Sequence, residues 1–84
     1  MAAAVADFVS NLAVELFIEA FQVALSHPAY AERQESLRSR LQVLLASDGG
    51  TEAKVVAFTD LTSIVGQSSI GEVITAAKKT WAAK

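Results

Sequence analysis

The 84-residue chain contains no cysteine, one proline, one histidine and four glycines. Without cysteine there is no disulfide framework, and no thiolate can act as a nucleophile or a metal ligand. The scarcity of glycine and proline argues against an all-β architecture, which needs many turns. Hydrophobic residues nevertheless make up 52% of the chain and charged residues 19%. This composition is typical of a folded chain rather than a disordered one.

Basic residues are missing from the first part of the chain, where the first lysine or arginine is Arg33. A secretory signal or transit peptide carries basic residues near its start, so neither is predicted. Residues 2–25 are long enough to cross a membrane, but they include Asp7, Glu15 and Glu19, which are costly in hydrocarbon. We therefore expect a small, acidic, cytoplasmic protein without a membrane span. Its net charge of −2 is too small to select a partner by electrostatics alone.

A long N-terminal helix, about residues 3–26, is predicted by the spacing of its polar residues. Those residues are Asp7, Asn11, Glu15, Glu19, Gln22 and Ser26. Their intervals of three or four residues place them in one stripe on a helix. The segment contains no glycine or proline, so nothing in its composition interrupts the helix.

A second helix is predicted to begin at Pro28, because proline suits the first turn of a helix and disfavours helix in the residue before it. Ser26 or His27 would then cap it. The sequence Asp48-Gly49-Gly50 ends this helix, since glycine adopts the left-handed conformation of a helix C-terminus without steric penalty.

A third helix follows, with Thr51 as its predicted cap and Gly66 as its end. A fourth is predicted to open at Ser69-Ile70-Gly71-Glu72, which has the pattern of a capping box. Trp81 is in phase with the apolar positions of this last helix, so we expect it to pack in the core. Residues 54–59 also suit a β-strand, but the chain offers no second strand to pair with them. The prediction is a small all-α, four-helix domain with one long N-terminal helix and three shorter helices, spanning residues 1–84.

The N-terminal helix is apolar around about two thirds of its circumference, whereas a surface helix needs an apolar face of only about 100°. Three short helices would leave part of it uncovered, which predicts contact with another chain, most simply a second copy. The candidate interface residues are Phe8, Leu12, Phe17 and Phe21, because large apolar side chains dominate buried interfaces. They do not share one narrow face, so some must be intramolecular. The alternative is that this helix forms the centre of a monomer and is wrapped by the other three.

Catalytic chemistry is not predicted. With one histidine and no cysteine, a nucleophile–base pair is hard to assemble. The pairs Glu15/Glu19 and Glu32/Glu35 have helical spacing but lack the histidine of a di-iron bundle. The turn at residues 48–51 lacks the lysine and the glycine spacing of a phosphate-binding loop. We expect no catalytic residues, no metal site and no cofactor, and a role for the protein in interaction or self-assembly, as a homo-oligomer or with an obligate protein partner.

One alternative function comes from the triplet Glu35-Ser36-Leu37. It resembles the Asp-Ser-Leu motif of acyl and peptidyl carrier proteins, which are acidic four-helix domains of similar length. The resemblance implies that Ser36 would carry a phosphopantetheine arm. Here glutamate stands in place of aspartate, Ser36 is predicted inside the second helix rather than at its start, and the long loop after the first helix is absent.

A second alternative concerns residues 58–79, which resemble a helix-turn-helix. The resemblance lies in Leu61, Ile64, Val65, Gly66 and Ser68, and it implies binding of DNA through the following helix. In that register, however, Glu72 occupies an apolar core position. Phosphate contacts dominate DNA affinity, and Lys78 and Lys79 supply few of them. A nucleic-acid partner is therefore not favoured.

Overall fold

The computed structural model describes residues 7–83, which form helices and no strand. Within this range the α-helices are α1 (Val14–Ser26), α2 (Gln34–Leu45), α3 (Thr51–Val65) and α4 (Gln67–Ala82). A helical turn at residues 7–10 precedes α1, and a 3-10 helix (Pro28–Arg33) joins α1 to α2. The predicted all-α class with four main helices is confirmed.

The first helix is interrupted where the sequence predicted it to continue, so its boundaries need correction. Residues 11–13 separate the turn at 7–10 from α1, and Ala13 is extended, with φ −70° and ψ 147°. The side-chain amide of Asn11 donates a hydrogen bond to the carbonyl oxygen of Asp7 at 2.9 Å. Such bonds from side chain to backbone compete with helical ones. With 13 residues, α1 is shorter than α3 and α4, and the part predicted before residue 7 lies outside the described residues.

The connection from α1 to α2 follows the prediction at its start. The imidazole Nδ1 of His27 accepts a hydrogen bond from the backbone N–H of Ala29 at 3.1 Å, so His27 caps the 3-10 helix that Pro28 opens. Tyr30 departs from helical geometry, with φ −112° and ψ 24°, and regular α-helix begins only at Gln34. The side-chain amide of Gln34 donates to the carbonyl oxygen of Leu25, which ties the start of α2 to the end of α1.

Helix α2 ends just before the predicted turn at residues 48–50. Gly49 has a φ of 73°, a conformation that favours glycine. The cap of α3 is corrected: Gly50 occupies the N-cap position, and Thr51 is the first helical residue.

Gly66 alone joins α3 to α4, with φ 93° and ψ 152°. It ends α3 as predicted. Because α4 begins at Gln67 with Gly66 as its N-cap, the predicted capping box at residues 69–72 lies inside the helix rather than at its start. The conformation of Gly66 ends one helix and starts the next within one residue, so a longer capped turn is unnecessary.

The core lies around α1, which packs most extensively against α4 and also contacts α2 and α3. Among its 13 residues, the exposed ones are Glu15, Gln22 and Ser26, and even Glu19 of the polar stripe is only 7% exposed. The other three helices fill the core with Leu37, Leu41, Leu44, Ala57, Leu61, Val65, Val73, Ile74 and Ala77. Over residues 14–26, the expectation that three helices leave part of the first helix uncovered is not met, whereas Phe8, earlier in the predicted helix, is 44% exposed. At about 1.5 Å per residue, α1 is only about 20 Å long, and α3 and α4 are long enough to cover it.

Candidate protein interaction surface

The four residues predicted as interface anchors separate into two groups. Phe17 and Phe21 have no exposed area and pack in the core, where a partner does not reach them while the chain is folded. Leu12 is partly buried against the core. Phe8 is 44% exposed, and its ring meets Phe58 edge-on, with the centroids 5.6 Å apart. Burial in the chain's own core therefore removes Phe17 and Phe21 from the candidate surface.

The most exposed large apolar side chains lie on other helices. Among residues 7–83 these are Val43 and Leu45 on α2, which are 57% and 52% exposed, and Val56 on α3, which is 46% exposed. Val43 and Val56 line an open groove of about 500 Å³ between the two helices, which we call the α2–α3 groove. Its apolar lining consists of Val43, Leu44, Ala53, Val56 and Ala57. The result is an apolar depression that solvent reaches.

Residue size explains why the groove is open. Leu37 and Leu41 are buried in the core, and the buried Leu44 also lines the groove. On the facing helix, Ala53 and Ala57 are four residues apart, so they share one side of α3. Their methyl groups leave space between α2 and α3 that longer side chains would fill. The groove therefore follows from a pair of small residues opposite a helix whose larger side chains point inward.

The charges around the groove are mostly negative. Glu52, Val56 and Asp60 recur every four residues along one side of α3, so two carboxylates flank the exposed valine. Arg40 lies opposite, with its Nε 3.8 Å from Oδ2 of Asp60. Asp48 adds a third carboxylate. Three carboxylates and one guanidinium give the lining a formal charge of −2.

The described residues offer few other chemical features. Within residues 7–83, no group of three or more His, Asp or Glu side chains is placed to hold a metal ion. In the same range, no helix combines the length and hydropathy needed to cross a bilayer. His27, the single histidine, is exposed and serves as a helix cap.

Ser36, the residue singled out by the carrier-protein resemblance, is exposed on α2. It lies in a shallow cleft with Glu32, Glu35, Ser39 and Arg40. The sequence pattern predicts Ser36 inside the second helix, but the α-helix begins at Gln34. Ser36 therefore lies in the first turn of α2, because the preceding residues form a 3-10 helix.

The segment that resembles a helix-turn-helix has a different connection from that motif. The motif joins its helices by a turn of about three or four residues, whereas Gly66 alone joins α3 to α4. Lys78 and Lys79 are exposed near the end of α4.

The comparisons with known proteins give no family assignment. No protein-family model, no curated protein and no solved structure matches the chain.

The sequence pattern does not predict the α2–α3 groove. Val43 is followed by Leu44 and Leu45, and Val56 lies between Val55 and Ala57. Periodicity therefore does not single out these two valines as exposed. The spacing of Ala53 and Ala57 is the one available signal, and it gains meaning only when the facing helix is known. Trp81 is a further correction, because it was expected in the core and is 43% exposed.

Proposed function

We propose that the protein is a non-enzymatic protein–protein interaction module and that the α2–α3 groove is its binding surface. The observation that carries this proposal is the pair of half-exposed valines, Val43 and Val56, on facing helices above a floor of small residues. Exposed apolar patches rimmed by polar groups are typical of interaction sites. The groove replaces the N-terminal helix as the proposed surface, because α1 is covered by its own chain.

The size, apolar walls and charge of the groove indicate which side chains a partner would present to it. Binding pockets commonly have volumes of about 300–1,000 Å³ with apolar walls and a few polar groups, and the groove is of that size. A large apolar side chain from a partner would displace water from Val43 and Val56. Lysine or arginine beside that side chain would face Glu52, Asp48 and Asp60. We therefore propose a partner segment that carries an apolar anchor with basic neighbours.

The experiment is a titration with two synthetic helical peptides, followed by the backbone amide NMR shifts of the labelled protein. Both peptides carry one central tryptophan, flanked by lysines in the first peptide and by glutamates in the second. We expect the lysine peptide to shift resonances around Val43 and Val56 and to bind at least about tenfold more tightly, because charge complementarity favours it.

The matched variants are Val43→Asp and Leu45→Asp. Both residues lie on α2 and are more than half exposed, but they are about 200° apart around the helix. We expect Val43→Asp to abolish binding of the lysine peptide and Leu45→Asp to leave it unchanged. Shifts spread over the surface, or an equal effect of both variants, would contradict the proposed surface.

A second candidate function rests on the position of Ser36 in the first turn of α2, exposed to solvent. Under this proposal the hydroxyl carries a phosphopantetheine arm. Intact mass spectrometry of protein from its native cell, compared with a Ser36→Ala variant, tests it. The expected result is an adduct that the variant lacks, and an unmodified mass for both would exclude this function.

A further inference from the structure

We propose that the groove's partner is a second copy of this chain, and that its anchor is Trp81, near the end of helix α4. This inference rests on the proposed function of the α2–α3 groove and names its occupant. The observation behind it is that one molecule carries both a negatively charged apolar groove and, on a different helix, an exposed tryptophan with the exposed Lys78 about one helical turn before it.

Trp81 has the properties of an interface anchor. Helix α4 buries Val73, Ile74 and Ala77 in the core, yet the larger side chain of Trp81 remains 43% exposed. Tryptophan is enriched among the residues that dominate binding energy. Its ring buries a large apolar area, and its indole N–H can donate a hydrogen bond at a polar rim. The exposed indole therefore matches the apolar anchor that the groove requires.

The charges around Trp81 are opposite in sign to those of the groove. Lys78 precedes Trp81 by three residues, so the two side chains lie on the same side of α4. Lys78 is exposed. In a complex, its ammonium group would face the groove carboxylates of Glu52 and Asp60. Complementary charge of this kind speeds association and fixes the orientation of the partners.

The contact joins two different surfaces of the molecule. Trp81 is on α4, whereas the groove lies between α2 and α3. Two copies can therefore exchange both contacts in a closed dimer, or successive copies can form an open chain. One tryptophan and its neighbours cover less than the roughly 800 Å² per partner of a stable interface, so we expect weak association that depends on concentration.

The test uses the full chain and its single tryptophan. Sedimentation velocity gives the mass over a concentration series, and the emission wavelength of Trp81 reports its exposure to water. We expect the mean mass to rise with concentration while the emission shifts to shorter wavelength in parallel. Circular dichroism verifies that each variant is folded.

The variants are Trp81→Ala on the anchor and Val43→Asp in the groove, each expected to weaken association at least about tenfold. Leu45→Asp, outside the groove, should associate as the parent does. Lys78→Glu provides a second anchor variant on an exposed site, and it should also weaken association. Its effect would be lost at high salt, because salt screens exposed charges.

Mixing the two deficient variants identifies the contact. The Trp81→Ala chain keeps its groove and the Val43→Asp chain keeps its tryptophan, so a mixture should form a heterodimer that neither variant forms alone. A parent chain that stays monomeric, or a Trp81→Ala variant that associates like the parent, would overturn the inference. The peptide titration would still decide the function of the groove, so the two proposals can fail separately.

Discussion

Helix α1 and the α2–α3 groove differ in how far their apolar side chains are exposed to solvent. The apolar side chains of α1 are buried or partly buried, although this segment is the most apolar of the chain. Helix α2 is largely polar, yet Val43 and Leu45 are more than half exposed. The difference lies in the number of neighbouring helices, because α1 packs against three α-helices and α2 packs mainly against α1 and α3. Exposed apolar surface therefore arises from position in the fold and not from the apolar content of a segment.

Side-chain size reinforces this contrast. Around α1, Phe17 and Phe21 fill the space between helices and have no exposed area. Between α2 and α3, the facing residues include Ala53 and Ala57, which leave the groove open. The space between helices is thus filled by large side chains around α1 and left open between α2 and α3.

The largest expected effect tests the buried side of this comparison. Phe21→Ala should lower the free energy of unfolding by about 3–5 kcal/mol, because it leaves a cavity in the core. Val56→Ala should change it by about 0.5 kcal/mol or less, as is usual for surface sites. Urea denaturation followed by circular dichroism measures both. Similar losses for the two variants would show that the groove wall is as tightly packed as the core.

The next largest effect is expected at Gly66, which joins α3, one wall of the groove, to α4. Gly66→Ala should lower the free energy of unfolding by about 1–3 kcal/mol, because its φ and ψ belong to a region that only glycine adopts easily. Gly71→Ala is the matched control: a Cβ built there meets no described atom within 4 Å. It should stabilise the helix by about 0.5–1 kcal/mol. Thermal unfolding measures the stability of both variants. A Gly66→Ala variant as stable as the parent would show that the backbone conformation at residue 66 does not require glycine.

Phe8 is intermediate between the buried and the open region. Its edge-on contact with Phe58 should contribute about 1 kcal/mol, in the range measured for aromatic pairs. Phe8→Leu, which retains apolar area, should lose less stability than Phe8→Ala. If Phe8→Ala leaves the unfolding midpoint unchanged, the contact between Phe8 and Phe58 contributes nothing to stability.

The smallest effect is expected at the rim of the groove. Arg40→Ala removes an exposed ion pair with Asp60 and should cost less than about 0.5 kcal/mol, because water and salt screen such pairs. The difference should disappear in high salt. A loss comparable to that of Phe8→Ala would mean that the rim is part of the folding core.

The ends of the helices were predictable where a local conformation decides them. Pro28, Gly49 and Gly66 each have a fixed or unusual backbone conformation, and each marks a boundary in the structure. The break at residues 11–13 contains no glycine or proline, so the sequence pattern gave no warning of it. Thr51 and Ser69 are residue types that favour the N-cap position, but Gly50 and Gly66 occupy the N-cap positions of α3 and α4.

The candidate surface was much less predictable. The spacing of polar residues predicts a stripe on the first helix, but it does not determine how many helices cover the rest of that helix. Phe17 and Phe21 therefore became interface candidates although they form the core, and Trp81 was assigned to the core although it is half exposed. Local periodicity shows which sides of a helix are apolar. Only the arrangement of the helices determines which of those sides remain open.

The single-residue joint at Gly66 also governs where the chain can change in length. One added residue before α4 would turn that helix by about 100° about its axis and rotate Val73, Ile74 and Ala77 out of register with α1. The connection at residues 46–50 is longer, and extra residues there can extend into solvent without rotating either neighbour. Insertions or a tag should therefore be tolerated at that connection and damaging at Gly66.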